Sequence, residues 1–437
     1  MESINQGTTL EAENIRSTSI RLFLWMLLIV QIFNFLDRQI VNILAEPIKR
    51  DLGLSDTQIG LMTGLAFALL YSVLGIPIAR YSDRSTTDRI GLISLALFFW
   101  SGMTALCGLV QNFGQMLAAR VGVGIGEAGC SPAAHSLISD LVPAKQRPSA
   151  LAFYASGISI GGLLGSVLGG QFAEWFGWRV AFMAVGLPGV FLALVVWLLL
   201  RDPRKTGGIL VAYRRTESAS TLGVKAAMME ILGSRVLVLL ILGASFSSFL
   251  SYGKGTWVAI FFMRSHGFSV GEVGLWLGIV AGTSGIFGTW FGGWLAVKFG
   301  STNRRHVLTA PAIGMAFAAP AAFVAYFVAD WHLAIALIVV PNILNALYLG
   351  PTYACVQGLV RPELRALASA IMIFSQNLIG LGFGPLFFGM LSDWFTPIAG
   401  QESIRWVLYG AAWLGIIPAF FFWRTSLHLN KELDVKR

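Results

Sequence analysis

Two ionisable residues interrupt an apolar, glycine-rich stretch at residues 113–139. Arg120 and Glu127 are seven residues apart, so a helix would place them on one face, about 10 Å apart along its axis. A charged side chain in a bilayer core costs about 3 kcal/mol or more unless it faces protein or water. The spacing therefore predicts that both side chains point into a protein interior or a cavity. A proton or substrate site is favoured over a structural ion pair between two helices.

The same stretch carries four glycines on its other side. They are predicted to let a neighbouring helix approach closely, because small residues allow helix backbones to pack together in membranes. These glycines are Gly122, Gly124, Gly126 and Gly129.

A second pair of charges, Asp37 and Arg38, occurs in the apolar segment QIFNFLDRQIVNIL. Counted from opposite ends of their helices, Asp37 and Arg120 lie at a similar depth, so they are predicted to pair. Burial disfavours a charged carboxylate and a neighbouring Arg favours it, so an Arg that moves between Asp37 and Glu127 would load or release a proton. Arg38 binds an anionic head group in one interpretation, and extends outward or pairs locally in the other.

Further polar residues fall inside apolar segments of the second half. Lys254, in FLSYGKGTWVAIFF, lies between two glycines. This pattern predicts an interrupted helix beside a cavity, or else an anchor at the membrane boundary. The remaining residues line the cavity or form hydrogen bonds between helices, two interpretations of equal weight. They are Asn342, Asn345, Tyr348, Tyr353, Gln357, Gln376 and Asn377.

The composition identifies an integral membrane protein. The 437 residues are 56% hydrophobic and only 12% charged, and apolar runs of about 20 residues recur. Basic residues are scattered over short loops without interleaved aromatics, which argues against nucleic-acid binding. No metal-ligand spacing, phosphate-binding loop or nucleophile–base set is present, so we expect no metal, no cofactor other than protons, and no enzymatic activity. The polar start of the chain predicts no cleaved signal.

Hydropathy predicts an all-α fold of twelve transmembrane helices in two six-helix, pseudo-symmetric bundles. The domains are predicted as an N-terminal tail (1–20), a first bundle (21–200), a central linker (201–235), a second bundle (236–425) and a C-terminal tail (426–437). The predicted spans are 21–45, 58–79, 90–110, 113–139, 149–172, 177–200, 236–262, 270–297, 306–328, 332–357, 366–392 and 404–424.

Basic residues predict the orientation of the chain. If the N-terminus is inside, 23 of the 31 Lys and Arg residues fall in inside segments and 5 in outside loops. This bias places both termini and the linker in the cytoplasm.

The two halves also resemble each other. Pro132 and Pro351 are each followed by a short basic loop, a Gly-rich helix and an acidic–Trp–Phe exit. Six-helix repeats of this kind are typical of secondary transporters, whose substrate binds between the halves.

A charge cluster is predicted where the second span ends, in GIPIARYSDRSTTDRIGL. It could lock one side of the transporter, or it could be an ordinary set of solvated loop charges. Its members are Asp83, Arg84, Arg89, Asp140 and Arg147.

Three motifs resemble a known family. ARYSDRSTTDR is similar to the loop signature of the major facilitator superfamily, and RVGVGIGEA is similar to its fourth-helix motif with a buried Arg, here Arg120. Within that superfamily, NFLDR and RVGVGIGEAGCSPAAHSLISD most resemble the Spinster family. The resemblance covers essentially the whole chain.

The resemblance implies an alternating-access transporter, coupled to protons, for an amphipathic lipid such as a lysophospholipid or sphingosine-1-phosphate. It assigns Asp37, Arg38, Arg120 and Glu127 to the coupling and substrate network. We expect a monomer in a bacterial inner membrane, with the bilayer and the lipid as its partners. A proton-coupled carrier of sugars, organic acids or drugs is the first alternative, and a non-transporting receptor on the same fold is the second.

Overall fold

The computed structural model describes residues 2–82, 84, 86–143, 145–205, 224–361 and 364–435, and none of these residues lies in a β-strand. The predicted all-α fold with two halves of six helices is confirmed. The first half contains α1 (Glu2–Ile43), α2 (Asp56–Ser82), α3 (Arg89–Cys107), α4 (Phe113–Glu127 and Cys130–Leu141), α5 (Arg147–Phe176) and α6 (Trp178–Leu199).

The second half repeats this arrangement. It contains α7 (Arg235–Ser265), α8 (Val270–Gly300), α9 (His306–Phe327), α10 (Trp331–Ala346 and Leu349–Leu359), α11 (Arg365–Ser375, Gln376–Phe383 and Gly384–Ala399) and α12 (Ser403–Trp413 and Ile416–Val435). The segments Leu61–Leu65 and Gln376–Phe383 are π-helical. Short helices, Ala45–Leu52 and Val224–Gly233, precede α2 and α7.

The predicted spans lie within these helices apart from a few terminal residues, with differences in detail. The fourth, tenth and twelfth spans, predicted as continuous, each consist of two helical pieces. The predicted N-terminal tail is helical from Glu2, the predicted C-terminal tail continues α12 as far as Val435, and part of the linker is the helix Val224–Gly233. Residues 206–223 lie outside the described residues.

Polar side chains determine where several helices begin. In each case an oxygen of the residue before the helix accepts a hydrogen bond from a backbone N–H of the first turn, which has no partner within the helix. Such caps are supplied by Ser55, Asp88, Asn112, Ser234, Ser269 and Asp330.

The two ends of the bundle differ in how the halves meet. The linker end carries residues 86–89, 145–147 and 200–205, and the loop end carries residues 44–56, 265–270 and 393–403. In the described chain, every hydrogen bond and ion pair between the halves lies in the loop-end part of the bundle.

Glycines on α8 show how α5 and α8 separate toward the linker end. A Cβ atom placed on Gly278 would lie 2.9 Å from Cβ of Ser166, and one on Gly282 would lie 3.7 Å from Cβ of Leu163. A Cβ on Gly285 would meet nothing within 4 Å. The halves are thus packed together at the loop end and diverge toward the linker end.

Candidate functional site

An ion pair between Arg38 and Glu127 joins α1 and α4 of the first half. Arg38 Nε donates a hydrogen bond of 2.6 Å to Glu127 Oε2, and the Glu127 side chain is buried while that of Arg38 is 15% exposed. The Arg38 guanidinium carbon lies 4.5 to 5.0 Å from the ring centroids of Phe35, Phe67 and Tyr71. Three aromatic faces therefore hold a guanidinium that is neutralised by one carboxylate and remains accessible to a ligand.

The predicted ion pair between Asp37 and Arg120 is wrong in this structure. Both side chains are buried, but among the described residues neither Asp37 oxygen has a hydrogen-bond partner, and Arg120 Nε and Nη1 have none either. The Arg120 guanidinium instead lies 5.4 Å from the ring centroid of Phe67. The partner of Glu127 is Arg38, because Arg38 on α1 reaches across to α4 through the gap beside Phe67 and Tyr71.

The predicted close packing around the glycines of α4 is confirmed. Cβ atoms at Gly124 and Gly126 would overlap the backbone of Phe67 on α2 and of Trp100 on α3. A bulkier residue at either position would push away the helices that surround the Arg38–Glu127 pair.

A short exposed strip on α7 shows that the pair borders an internal space between the halves. α7 is mostly buried, yet Ser251, Tyr252 and Gly255 are exposed in its middle. Tyr252 is close enough to Arg38 and Tyr71 of the first half for electrostatic interaction. The strip therefore faces the same cavity as the guanidinium.

Part of the predicted second-half site is assembled on the same side of that cavity. The Tyr353 hydroxyl donates to Gln376 Oε1 at 3.0 Å, and the hydroxyls of Tyr348 and Ser248 are 3.4 Å apart. Tyr252 lies near Tyr348 and Tyr353. Asn345 is half-buried on α10, and its side chain forms no hydrogen bond with the described residues.

The interruption of the helix predicted at Lys254 is wrong, because α7 is continuous from Arg235 to Ser265. Gly253 serves packing instead, since a Cβ there would lie 2.7 Å from the Phe388 ring of α11. Lys254 is half-buried and forms no ion pair with the described residues. Its place in the site is not supported by a contact.

The linker-end charge cluster centres on the buried Arg89. Its Nη1 donates to Asp140 at 2.7 Å, while Nε and Nη2 donate to the two oxygens of Asp202 at 2.9 and 2.7 Å. Arg204 Nε also donates to Asp140, at 2.8 Å. Burial alone would raise the pKa of Asp202, but the hydrogen bonds from Arg89 and Arg204 hold that pKa below its usual value.

Only part of the predicted cluster is therefore found. Arg89 and Asp140 meet, Asp202 and Arg204 were missed, and Asp83 lies outside the described residues. The predicted member Arg147 donates to the Val142 carbonyl at 3.0 Å, because it lies at the start of α5, beside the end of α4. The Arg84 carbonyl accepts a hydrogen bond of 3.2 Å from Arg204. These contacts join helices of the first half to each other.

The loop end is closed by a buried charge network that sequence reasoning missed. Arg264, at the end of α7, donates to Glu46 at 3.0 and 2.7 Å and to Asp56 at 2.8 and 2.7 Å. Asp56 also accepts from Lys49 and from Ser392 of α11. Since Arg264 and Ser392 belong to one half and the carboxylates to the other, this network joins the halves.

Two carboxylates cap helices of the opposite half. Asp393 of α11 accepts hydrogen bonds of 2.9 and 2.7 Å from the backbone N–H groups of Asp56 and Thr57, where α2 begins. Glu174 of α5 accepts one of 3.1 Å from the N–H of Gly271, where α8 begins. These are the acidic residues of the repeated acidic–Trp–Phe exits, so the repeat marks equivalent closing contacts.

We expect these caps to stabilise the closed loop end. Loss of a cap costs about 1 kcal/mol, so Asp393→Ala together with Glu174→Ala should cost about 2 kcal/mol, or about 30-fold in the closed population. Spin labels at Asp51 and Glu272, in a variant without Cys107, Cys130 and Cys355, should show longer distances by double electron–electron resonance.

Asp330→Ala is the matched control, because Asp330 caps α10 within its own half through a hydrogen bond of 2.9 Å to the Leu333 N–H. Distances that stay the same in the double variant, or that lengthen equally in the control, contradict the prediction.

The missed residues are those whose role depends on a distant partner. Arg264, Glu46 and Asp56 look like ordinary boundary charges in the sequence, and Phe67, Tyr71 and Tyr252 look like ordinary apolar-segment aromatics. The repeated exit motif was the one available signal, and it identified Glu174 and Asp393 without their partners.

Comparisons with known proteins agree with this architecture. The sequence profile described as Major Facilitator Superfamily matches residues 27–378. The chain is 32% identical over 409 residues to the MFS-type efflux pump of Mycolicibacterium smegmatis, over 93% of each protein. It is 26% identical over 432 residues to protein spinster homolog 1 of Xenopus laevis, over 93% of this chain and 80% of the relative.

The crystal structure of a bacterial homologue of the human lysosomal transporter Spinster, inward-facing and unoccupied, is similar with a TM-score of 0.85. It is 32% identical to this chain and aligns with 95% of it and 98% of the homologue. The chain therefore belongs to the Major Facilitator Superfamily and is a transporter of the Spinster type.

Proposed function

We propose that this protein is a proton-coupled secondary transporter that moves an amphipathic lipid with an anionic head group by alternating access. The observation that carries the proposal is the Arg38–Glu127 ion pair, held at 2.6 Å inside an aromatic surround and accessible from the space between the halves. A guanidinium in such a place suits a phosphate or carboxylate, with which it forms paired hydrogen bonds.

Coupling follows from competition for Arg38. An anionic head group that binds Arg38 displaces Glu127, which then lies buried without its counter-ion and takes up a proton. Release of the proton restores the ion pair and weakens substrate binding. Protons change the conformational equilibrium only if the inward- and outward-open states bind them with different affinities, and Asp37 and Arg120 beside the pair allow that difference.

The lipid class rests on the Spinster resemblance and on the chemistry of the cavity. Tyr71 and Tyr252 provide polar and aromatic surface from both halves, which suits a molecule with a charged head and an apolar chain. Tyr348, Tyr353 and Gln376 extend this surface along α10 and α11.

With both termini in the cytoplasm, the linker end faces the cytoplasm and the structure is an inward-facing state. We place the protein in a bacterial inner membrane as a monomer that uses protons and no other cofactor. The orientation rests on the excess of basic residues at the linker end.

A carrier of drugs or organic acids is the second candidate, because a 32% identical relative bears the name MFS-type efflux pump. The two are separated with purified protein in liposomes that contain a pH-sensitive dye. Lysophosphatidylglycerol, sphingosine-1-phosphate, a sugar acid and a cationic dye are added in turn. Proton flux with the two lipids and none with the other compounds is expected. Flux with only the sugar acid or the dye assigns the second candidate, and binding without flux under any gradient overturns transport itself.

A further inference from the structure

Nine buried side chains of α1, α3 and α4 have a polar atom without a hydrogen-bond partner among the described residues, and six of the nine lie around Asp37 and Glu127. All six are at most 1% exposed. The unpaired atoms are both amide atoms of Asn34, both oxygens of Asp37, Trp100 Nε1, Thr104 Oγ1, Arg120 Nε and Nη1, and Glu127 Oε1. Native proteins leave few buried polar atoms unpaired, and internal water usually satisfies those that the chain does not.

These atoms form a continuous set rather than a scatter. Asn34 adjoins Glu127, and it precedes Asp37 by one turn of α1. Trp100 and Thr104, one turn apart on α3, lie beside Asp37 but outside hydrogen-bond geometry. The set therefore extends from Glu127 past Asn34 to Asp37.

The two carboxylates differ in their access to the cavity. Glu127 contacts the partly exposed Arg38, whereas Asp37 is 0% exposed and forms no ion pair with the described residues. A proton that reaches Asp37 from the cavity must therefore cross the interior of the first half.

The charges in this region favour water over a bound metal ion. The carboxylates of Asp37 and Glu127 are matched by the guanidinium groups of Arg38 and Arg120, so a further cation would be in excess. The other titratable neighbours of these four groups include Cys107, Cys130 and Tyr71.

We propose that Asn34, Trp100 and Thr104 position a chain of internal waters that carries the coupling proton between Glu127 and Asp37. The proton leaves the Glu127 carboxyl group for the first water, each water passes on one of its own protons, and the Asp37 carboxylate receives the last one. No bond other than O–H changes, and the net result is the exchange of one proton between two carboxylates. The inference rests on the proposed proton coupling and names residues that position the proton path without binding substrate.

The test separates coupling from transport in liposomes. Asn34→Leu and Thr104→Val preserve side-chain volume and remove the polar atoms. Each should slow uptake driven by a pH gradient about tenfold or more, while exchange of substrate at equal pH stays within about twofold of wild type. Thr104→Ser should restore the wild-type driven rate, because it returns the hydroxyl group.

Thr352→Val is the matched control, because Thr352 on α10 is also 0% exposed with an unpaired hydroxyl, but it belongs to the second half. Driven uptake should be unchanged in this control. If Asn34→Leu fails to fold, the comparison of Thr104→Val with Thr104→Ser decides alone.

The inference is overturned if Thr104→Val and Thr104→Ser transport equally, or if driven uptake and exchange fall together. Failure of the inferred water path can be distinguished from failure of the proposed proton coupling. The coupling is tested separately by Asp37→Asn and Glu127→Gln. If those two variants keep proton-driven uptake, the coupling mechanism fails. If they lose it while Thr104→Val keeps it, only the water path fails.

Discussion

Glu127→Gln should reduce uphill transport about 100-fold while it preserves exchange down a substrate gradient. Glutamine has the shape of a protonated glutamic acid, so it removes the ion pair with Arg38 and can neither gain nor lose a proton. Breaking one side of a buried ion pair costs about 3 kcal/mol, so we expect about a 100-fold loss in proton-driven rate. The measurement is substrate accumulation in liposomes with an imposed pH gradient, compared with counterflow at equal pH.

The affinity for substrate should also lose its pH dependence in this variant. In the wild type, an anionic head group and ionised Glu127 compete for Arg38, so binding should tighten as pH falls and Glu127 becomes protonated. In Glu127→Gln there is no competitor, so the dissociation constant should be low and constant across pH.

Glu272→Gln provides the matched control for this substitution. Glu272 lies at the exposed start of α8, where its side chain accepts a hydrogen bond of 2.9 Å from the Ser269 N–H, an interaction that glutamine can retain. Accumulation by this control should equal that of the wild type. Accumulation by Glu127→Gln at the wild-type level would exclude Glu127 as the coupling group.

The fold could be predicted because its signals are local. Apolar runs, Gly-rich packing faces, caps such as Ser55 and Asn112, and the repeat around Pro132 and Pro351 all depend on residues close in sequence. The membrane makes these signals strong, because a helix is the simplest way for a spanning segment to satisfy its backbone groups.

The site could be predicted only as a set of residues, since pairing depends on how helices face each other. Depth along the helix axis suggested that Asp37 meets Arg120, but depth does not fix rotation about the axis. Arg38, the next residue on α1, points to α4 and forms the ion pair with Glu127. A single residue step rotates a side chain by about 100°, which decides the partner.

The contacts at the two ends of the molecule also depend on which helices face each other. At the linker end, Arg89 joins segments within one half. At the loop end, Arg264, Asp393 and Glu174 join one half to the other. A transporter that alternates must break the second kind of contact and keep the first, so the contacts between halves are the ones that a conformational change has to exchange.

Arg38→Lys should weaken the binding of an anionic amphiphile about 30-fold although the positive charge is retained. Lysine cannot lie flat against three rings, and its ammonium group forms no paired hydrogen bonds with a phosphate or carboxylate. Loss of these contacts should cost about 2 kcal/mol, which corresponds to the stated change in dissociation constant. Isothermal titration calorimetry with lysophosphatidylglycerol in detergent measures it.

Arg365→Lys is the corresponding control, because the exposed Arg365 at the start of α11 donates one hydrogen bond of 3.0 Å to the Gln357 carbonyl and stacks on no ring of the described residues. The affinity of the Arg365→Lys variant for lysophosphatidylglycerol should match that of the wild type. A dissociation constant for Arg38→Lys within threefold of the wild type would mean that charge alone binds the head group, and that the aromatic rings position Arg38 for Glu127 rather than for substrate. Because Glu127 and substrate compete for one guanidinium, the affinity of Arg38→Lys should also vary less with pH than that of the wild type.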